Sequence, residues 1–171
     1  MTPASDPASP TNAAVFTVER TFAAPRDLVF KVWTTPEYVA LWWGVDGASN
    51  PHCELDVRPG GLWRIDMRTP SGTVYPNRGV FLEVVDNERL VYRDLPVGES
   101  PAWGGAPPDP LEHTVLFTDT PDGGTRVSLT VRAASAADCA RLLKQGMREG
   151  IGQGLERLRR LLAELVGSSR P

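Results

Sequence analysis

CARLLKQGMREGIGQGLERLRRLLAEL, residues 139–165, decides the fold. Within it Cys139, Leu143, Met147, Ile151, Leu155, Leu158, Leu162 and Leu165 recur at spacings of three and four, the repeat of one apolar stripe along an amphipathic helix. Gly146, Gly150 and Gly154 fall four apart beside that stripe, with Gly152 off the row. Each glycine costs about 1 kcal/mol relative to alanine inside a helix. Clustered as they are, they would melt a free helix, so tertiary packing must hold this one. Ser135-Ala136-Ala137-Asp138 resembles a capping box with a shorter acid than usual and sets the start. About thirty residues at 1.5 Å each reach about 45 Å, so a single long helix is expected to cross a whole sheet and to bend near its glycines.

Upstream of the helix the period changes to two. Leu62-Trp63-Arg64-Ile65-Asp66-Met67-Arg68 puts Trp63, Ile65 and Met67 on one face and the charges on the other, and Cys53, Leu55 and Val57 alternate in the same way. Pro59-Gly60-Gly61, Pro70-Ser71-Gly72 and Asp86-Asn87-Glu88 separate these strands from one running from about Thr73 to Val85 and from its return over Arg89 to Asp94. His113–Thr118 and Thr125–Val131 form a last hairpin around Pro121-Asp122-Gly123-Gly124. Short turns between consecutive strands predict an antiparallel meander with one apolar side. Residues 95–111 break the rhythm with five prolines and three glycines around Trp103, which reads equally as a lid or as a disordered loop.

Ahead of the meander, Phe16, Val18 and Phe22 share one face of a first strand. Pro25 then opens a helix carrying Leu28, Val29, Val32 and Trp33, and Pro36 opens a shorter one carrying Tyr38, Leu41 and Trp42 that ends at Gly44. The expected architecture is α+β: a curved antiparallel sheet of about seven strands around a long C-terminal helix, the helix-grip arrangement, with two short helices between strands 1 and 2. One domain over residues 14–166 accounts for the chain, with loose tails over 1–13 and 167–171.

The whole chain has 171 residues, 41% of them hydrophobic and 23% charged, with a formal net charge of −3. That is the balance of a globular protein. Sixteen of its 18 basic residues are arginines interleaved with acids, and no basic stripe of a nucleic-acid binder emerges. Cys53 and Cys139 are far apart, so neither a disulfide framework nor a zinc site is expected, and no metal or cofactor is called for. No apolar run reaches the length of a membrane span, and no leader pattern opens the chain, so the expected setting is the cytoplasm. A monomer and a homodimer fit equally well.

Several short stretches carry a family resemblance. Ala24-Pro25-Arg26-Asp27-Leu28-Val29-Phe30-Lys31-Val32-Trp33-Thr34 is similar to the APRELVFDAWT opening of bacterial START-like (SRPBCC) proteins. Leu41-Trp42-Trp43-Gly44 resembles the WWG of the branch named after the activator of heat-shock-protein-90 ATPase, and Asp56-Val57-Arg58-Pro59-Gly60-Gly61 its DxRpGG. Gly79 to Val84 with Glu88 to Tyr92, and Gly123 to Val127, resemble two further motifs of that branch. The resemblance spans roughly Val15 to Val166. It departs at Gly150-Ile151, where the family usually carries Gly-Trp, in the added helix glycines, and in the enlarged loop 95–111.

The resemblance implies a cavity between the sheet and the C-terminal helix. Trp63, Met67, Val115 and Phe117 would face the small residues Gly146, Gly150 and Gly154, with Met147 and Ile151 beside them. The alternative is that the helix sinks onto the sheet and fills the space. Trp42 and Trp43 read as helix anchors or as the cavity mouth, and Trp103 as a lid aromatic or a loop anchor. His113 shares the register of Val115 and Phe117 and points inward with them, as a satisfied polar group or a base. Tyr75, Arg78 and Tyr92 are further candidates for polar contacts, and Glu83 with Arg126 for an ion pair. Three functions follow as expectations. The first is a binder of a small apolar or amphipathic molecule. The second is an interaction protein whose partner is a chaperone, in a stress-response setting. The third is an enzyme like the polyketide cyclases and aromatases, for which no catalytic constellation is seen.

Overall fold

The structure is a computed structural model and describes residues 14–97 and 109–168. Seven strands form one antiparallel sheet: β1 (Val15–Phe22), β2 (Ser49–Leu55), β3 (Leu62–Arg68), β4 (Val74–Val85), β5 (Arg89–Asp94), β6 (Glu112–Asp119) and β7 (Thr125–Arg132). Their order across the sheet is β1-β7-β6-β5-β4-β3-β2. The meander from β2 to β7 therefore runs neighbour to neighbour, and β1 closes the far edge on β7. Two helices, α1 (Arg26–Thr34) and α2 (Pro36–Trp42), carry the chain from β1 at one edge to β2 at the other. The fold is the expected α+β helix-grip.

Proline placement explains the helical pair. Pro25 supplies an extended backbone ahead of α1, with its carbonyl accepting from Leu28 and Val29, and Pro36 occupies the first turn of α2. The period-two strands place Phe16, Val18, Ile65, Val115, Val127, Leu129 and Val131 in the core. Thr125 is fully buried among them, its hydroxyl donating to the carbonyl of Ala24 at 2.8 Å. That bond satisfies a polar group the core could not otherwise tolerate.

The single helix expected from residue 135 onward is two helices. Ser135 caps α3 (Ala136–Lys144) by accepting from the Asp138 N–H at 3.1 Å, and its hydroxyl meets the Asp138 carboxylate at 3.0 Å. After Gln145 the chain breaks at Gly146, whose φ of +92° lies in the left-handed region that side chains disfavour. α4 (Met147–Ser168) begins immediately after. Gly167 and Ser168, expected in a loose C-terminus, are the last residues of α4. Its 22 residues span about 33 Å, one sheet's width rather than the longer reach of a continuous rod.

α4 rests chiefly on α2, α3 and β1. Toward β1, the Arg148 guanidinium lies 5.2 Å from the ring centre of Phe16 and donates to the Thr17 carbonyl at 2.9 Å, while Arg159 sits 5.4 Å from the ring centre of Phe22. Toward α2, Arg157 donates to the carbonyls of Leu41 (3.0 Å), Trp43 (3.2 Å), Val45 (3.0 Å) and Ala48 (2.9 Å), with that of Gly44 at 3.5 Å. These oxygens are the end of α2 and the loop leading to β2. The Leu41 carbonyl lies at the negative pole of the helix, while those of Trp43 and Val45 also accept from Asn50 and from the Ala48 N–H. Desolvation lowers the pKa of the guanidinium, the nearby Asp46 raises it, and Arg160 lowers it further. Buried Asn50 adds two donations from its amide nitrogen, to Ala40 at 3.0 Å and Trp43 at 2.8 Å.

Charge-assisted bonds of this kind are individually worth about 1.5–3 kcal/mol, less where water reaches them. Arg157→Met is expected to destabilise the fold by about 2 kcal/mol, lowering Tm by about 4–8 °C in a thermal melt followed by circular dichroism. Arg157→Lys, with a point charge in place of a planar fork, recovers less than half of the loss.

Candidate functional site

α4 crosses one face of the sheet, with Leu155, Leu158 and Leu162 buried in the common core. A half-enclosed pocket of about 430 Å³ lies between helix and sheet. One wall is built from α4 and the end of α2: Trp42, Trp43, Met147, Gly150, Ile151 and Gly154. The opposite wall comes from the inward faces of β3, β4 and β5, with Trp63, Ile65, Met67, Phe81 and Tyr92. The pocket brings together eleven of the residues expected from sequence to face a cavity, Gly146, Tyr92 and His113 among them.

Gly150 and Gly154 line the pocket and also lie against the Trp42–Val45 loop. A Cβ at Gly154 would come within 3.3 Å of the Gly44 carbonyl oxygen, and one at Gly150 within 3.5 Å of Val45 Cγ1. Gly154 therefore lets two backbones approach, while Gly150 has ordinary room around it. Gly44, at φ +100°, ends the Trp-Trp-Gly run and turns the loop beneath Met67. Trp42 is anchored there, its indole N–H donating to the Val32 carbonyl at 3.2 Å and its ring 4.7 Å from Trp33.

On the sheet, Trp63 is paired in register with Gly79, and a Cβ at Gly79 would overlap the indole ring. The ring thus lies flat over the neighbouring strand, edge-on to Tyr92 at 5.8 Å, and its buried N–H has no hydrogen-bond partner among the described residues. Phe81 meets the same Tyr92 at 6.0 Å. Cross-strand pairing then sets Tyr92 beside His113, and the two rings stack at 4.7 Å with 17° between planes.

This stack begins the polar end of the pocket. His113 Nε2 lies 3.1 Å from Asp94 Oδ1, and Asp94 Oδ2 accepts from the Leu111 N–H at 3.3 Å. A carboxylate only accepts, so it holds the proton of a neutral imidazole on Nε2 and leaves Nδ1 as the acceptor. Burial pushes the Tyr92 phenol well above its ordinary value. The Asp94 carboxylate adds to that, and a hydrogen bond with Trp33 works in the opposite direction. Asn77 and Gln145 complete the polar lining.

Among the described residues, the expected Val115, Phe117, Tyr75 and Arg78 are not on the wall. Val115 has no exposed surface and is flanked in register by Leu90 and Leu129. Phe117 is covered by α1, edge-on to Phe30 at 5.3 Å and to Trp33 at 5.7 Å. Both face inward, but α1 closes that half of the sheet. Trp103 lies outside the described residues. Tyr75 shares the face of Asn77 without reaching the pocket, and Arg78 takes the other face. Glu83 pairs with Arg89 at 3.2 Å rather than with Arg126. Sequence reading missed Asp94 and Asn77. Asp94 follows Leu90 and Tyr92 at period two, and Asn77 opposes Ile65, so an inward polar residue among apolar ones was the available signal. Among the described residues no group of three or more His, Cys, Asp and Glu side chains is placed to hold a metal ion, and no helix is long and apolar enough to cross a membrane.

Comparison with known proteins agrees with this fold. Residues 23–163 match the family described as Activator of Hsp90 ATPase homolog 1-like protein. No match was found among curated proteins. A solved structure from Nitrosomonas europaea superposes with a TM-score of 0.78 at 25% identity, covering 91% of this chain and 97% of its own. One from Mycobacterium smegmatis gives 0.75 at 23%, covering 89% and 92%. A putative uncharacterized protein from Rhizobium leguminosarum gives 0.69 at 27%, covering 88% and 95%.

Two outcomes follow from the aromatic wall. Gly79→Ala is expected to displace the Trp63 indole at a cost of about 1–3 kcal/mol, read as a lower denaturation midpoint with red-shifted tryptophan emission. Alkaline titration, followed by phenolate absorbance against Tyr92→Phe as blank, should show Tyr92 ionising well above the ordinary value of about 10. A phenol whose folded pKa is raised contributes stability that is complete below the unfolded value. That contribution is lost as pH rises toward the folded one, so the Tyr92-dependent part declines only above about pH 10.

Proposed function

Because this chain belongs to the Activator of Hsp90 ATPase homolog 1-like family, we propose that it holds a small apolar or amphipathic molecule between its sheet and its C-terminal helix. The observation that carries this reading is the pocket of about 430 Å³, apolar along most of its wall and polar at one end. Protein interiors normally pack to crystal density, so an apolar space this large lacks the dispersion contacts its lining could make. A guest restores them. The volume falls within the range of about 300–1,000 Å³ that small-molecule sites occupy, and the few polar groups gathered around Asp94 are of the kind that orient a bound molecule.

The family's description also names an activator of an ATPase, which makes a protein partner the second reading. The outer face of the sheet exposes Leu62, Leu82 and Leu116, apolar side chains available to such a partner. The two readings separate on one variant. Gly150 has room for a side chain and lines the pocket, so Gly150→Leu fills the space while leaving the outer face intact.

Titration with an environment-sensitive apolar dye is expected to give saturable uptake near one molecule per chain. Gly150→Leu should weaken that uptake at least about tenfold with Tm unchanged or raised, since leucine is also the better helix former. Equal uptake by both proteins would place the dye elsewhere and count against the pocket. Chaperone capture that survives Gly150→Leu, with no dye uptake by either protein, would favour the surface reading.

A further inference from the structure

The charge of the pocket restricts what can enter it. Its wall includes one carboxylate, Asp94, one imidazole, His113, and no lysine or arginine among the described residues. The nearby cation, Arg157, is turned away and engaged with the loop carbonyls. With His113 neutral or protonated, the formal charge of the wall lies between −1 and 0.

Resting on the pocket reading, we infer that the site admits uncharged or cationic aromatic amphiphiles and rejects anionic ones, with Asp94 as the residue that sets this selectivity. An anionic headgroup brought to the polar end would meet the Asp94 carboxylate with no cation to compensate its lost hydration. The aromatic part of the wall, Trp33, Trp43, Trp63, Phe81 and Tyr92, supplies no positive charge. A donor has a place to go. Asp94 accepts from His113 on one oxygen and from the Leu111 N–H on the other, and a carboxylate has about four acceptor positions. A ligand N–H or O–H can fill one that remains. The neutral imidazole offers a second acceptor at Nδ1.

The test uses the full chain and three naphthalene probes that differ only in their polar group: an ammonium, a hydroxyl and a carboxylate. Calorimetric titration should show the ammonium and hydroxyl probes binding at least about tenfold more tightly than the carboxylate. Asp94→Asn should narrow the gap between ammonium and carboxylate severalfold. Gln145→Glu, which adds a second acid to the lining without touching the Asp94–His113 pair, should widen it and keeps the inference testable should Asp94→Asn fail to fold. Carboxylate binding as tight as hydroxyl binding, or a gap that Gln145→Glu leaves unchanged, overturns the inference. Dye uptake with all three naphthalene probes rejected overturns it while the pocket reading stands. No uptake of the dye or of any probe overturns both.

Discussion

A single guanidinium determines where the C-terminal helix can lie. Arg157 collects the carbonyls at the end of α2 and of the loop into β2, oxygens that neither helix nor strand pairing satisfies. Burial lowers the pKa of that guanidinium, and its bonds to these carbonyls offset part of its lost hydration. Gly154 makes the approach possible, because a side chain there would crowd the Gly44 backbone. The helix is thereby tied to the Trp-Trp-Gly loop on one flank, and Arg148 and Arg159 tie it to β1 on the other. It crosses the sheet with Leu155, Leu158 and Leu162 buried in the core and leaves the pocket on the side of β3 to β5.

The space under that bridge is shaped by what the strands can offer. α1 covers the half of the sheet around Phe117, so the core there is solid. Around β3 to β5 the inward side chains stop at one another: Trp63 lies flat on Gly79, Tyr92 closes against Trp63 and Phe81, and His113 stacks behind Tyr92. Such aromatic contacts hold a wall in place without filling the volume in front of it. The polar groups at the end of the wall are ordered by one another, Asp94 by the Leu111 backbone and His113 by Asp94. The pocket is therefore formed in advance of any guest, which lowers the ordering cost of binding.

Much of this was legible in the sequence because it depends on local rules. Period-two alternation gave the strands, Pro25 and Pro36 the two short helices, and Ser135 the cap of α3. The break at Gly146 was not legible, since the apolar stripe continues through it and only the left-handed backbone reveals it. Arg157 resembled any solvated charge on an amphipathic helix, and its partners are backbone oxygens more than a hundred residues away that no side-chain pattern advertises. Val115 and Phe117 show a related limit. Alternation tells which side of the sheet a residue faces, whereas burial by α1 is a property of packing between distant elements.

The central claim is that the space between helix and sheet receives a guest, and the methionines report on it directly. Met67 lies on β3 and Met147 at the start of α4, on opposite walls, while Met1 is remote in sequence. With methyl-labelled methionine, a bound apolar aromatic molecule is expected to shift both the Met67 and Met147 methyl resonances, give nuclear Overhauser contacts to both, and leave Met1 unchanged. Ligand contacts to neither methyl, with saturable binding still measured, would contradict the account.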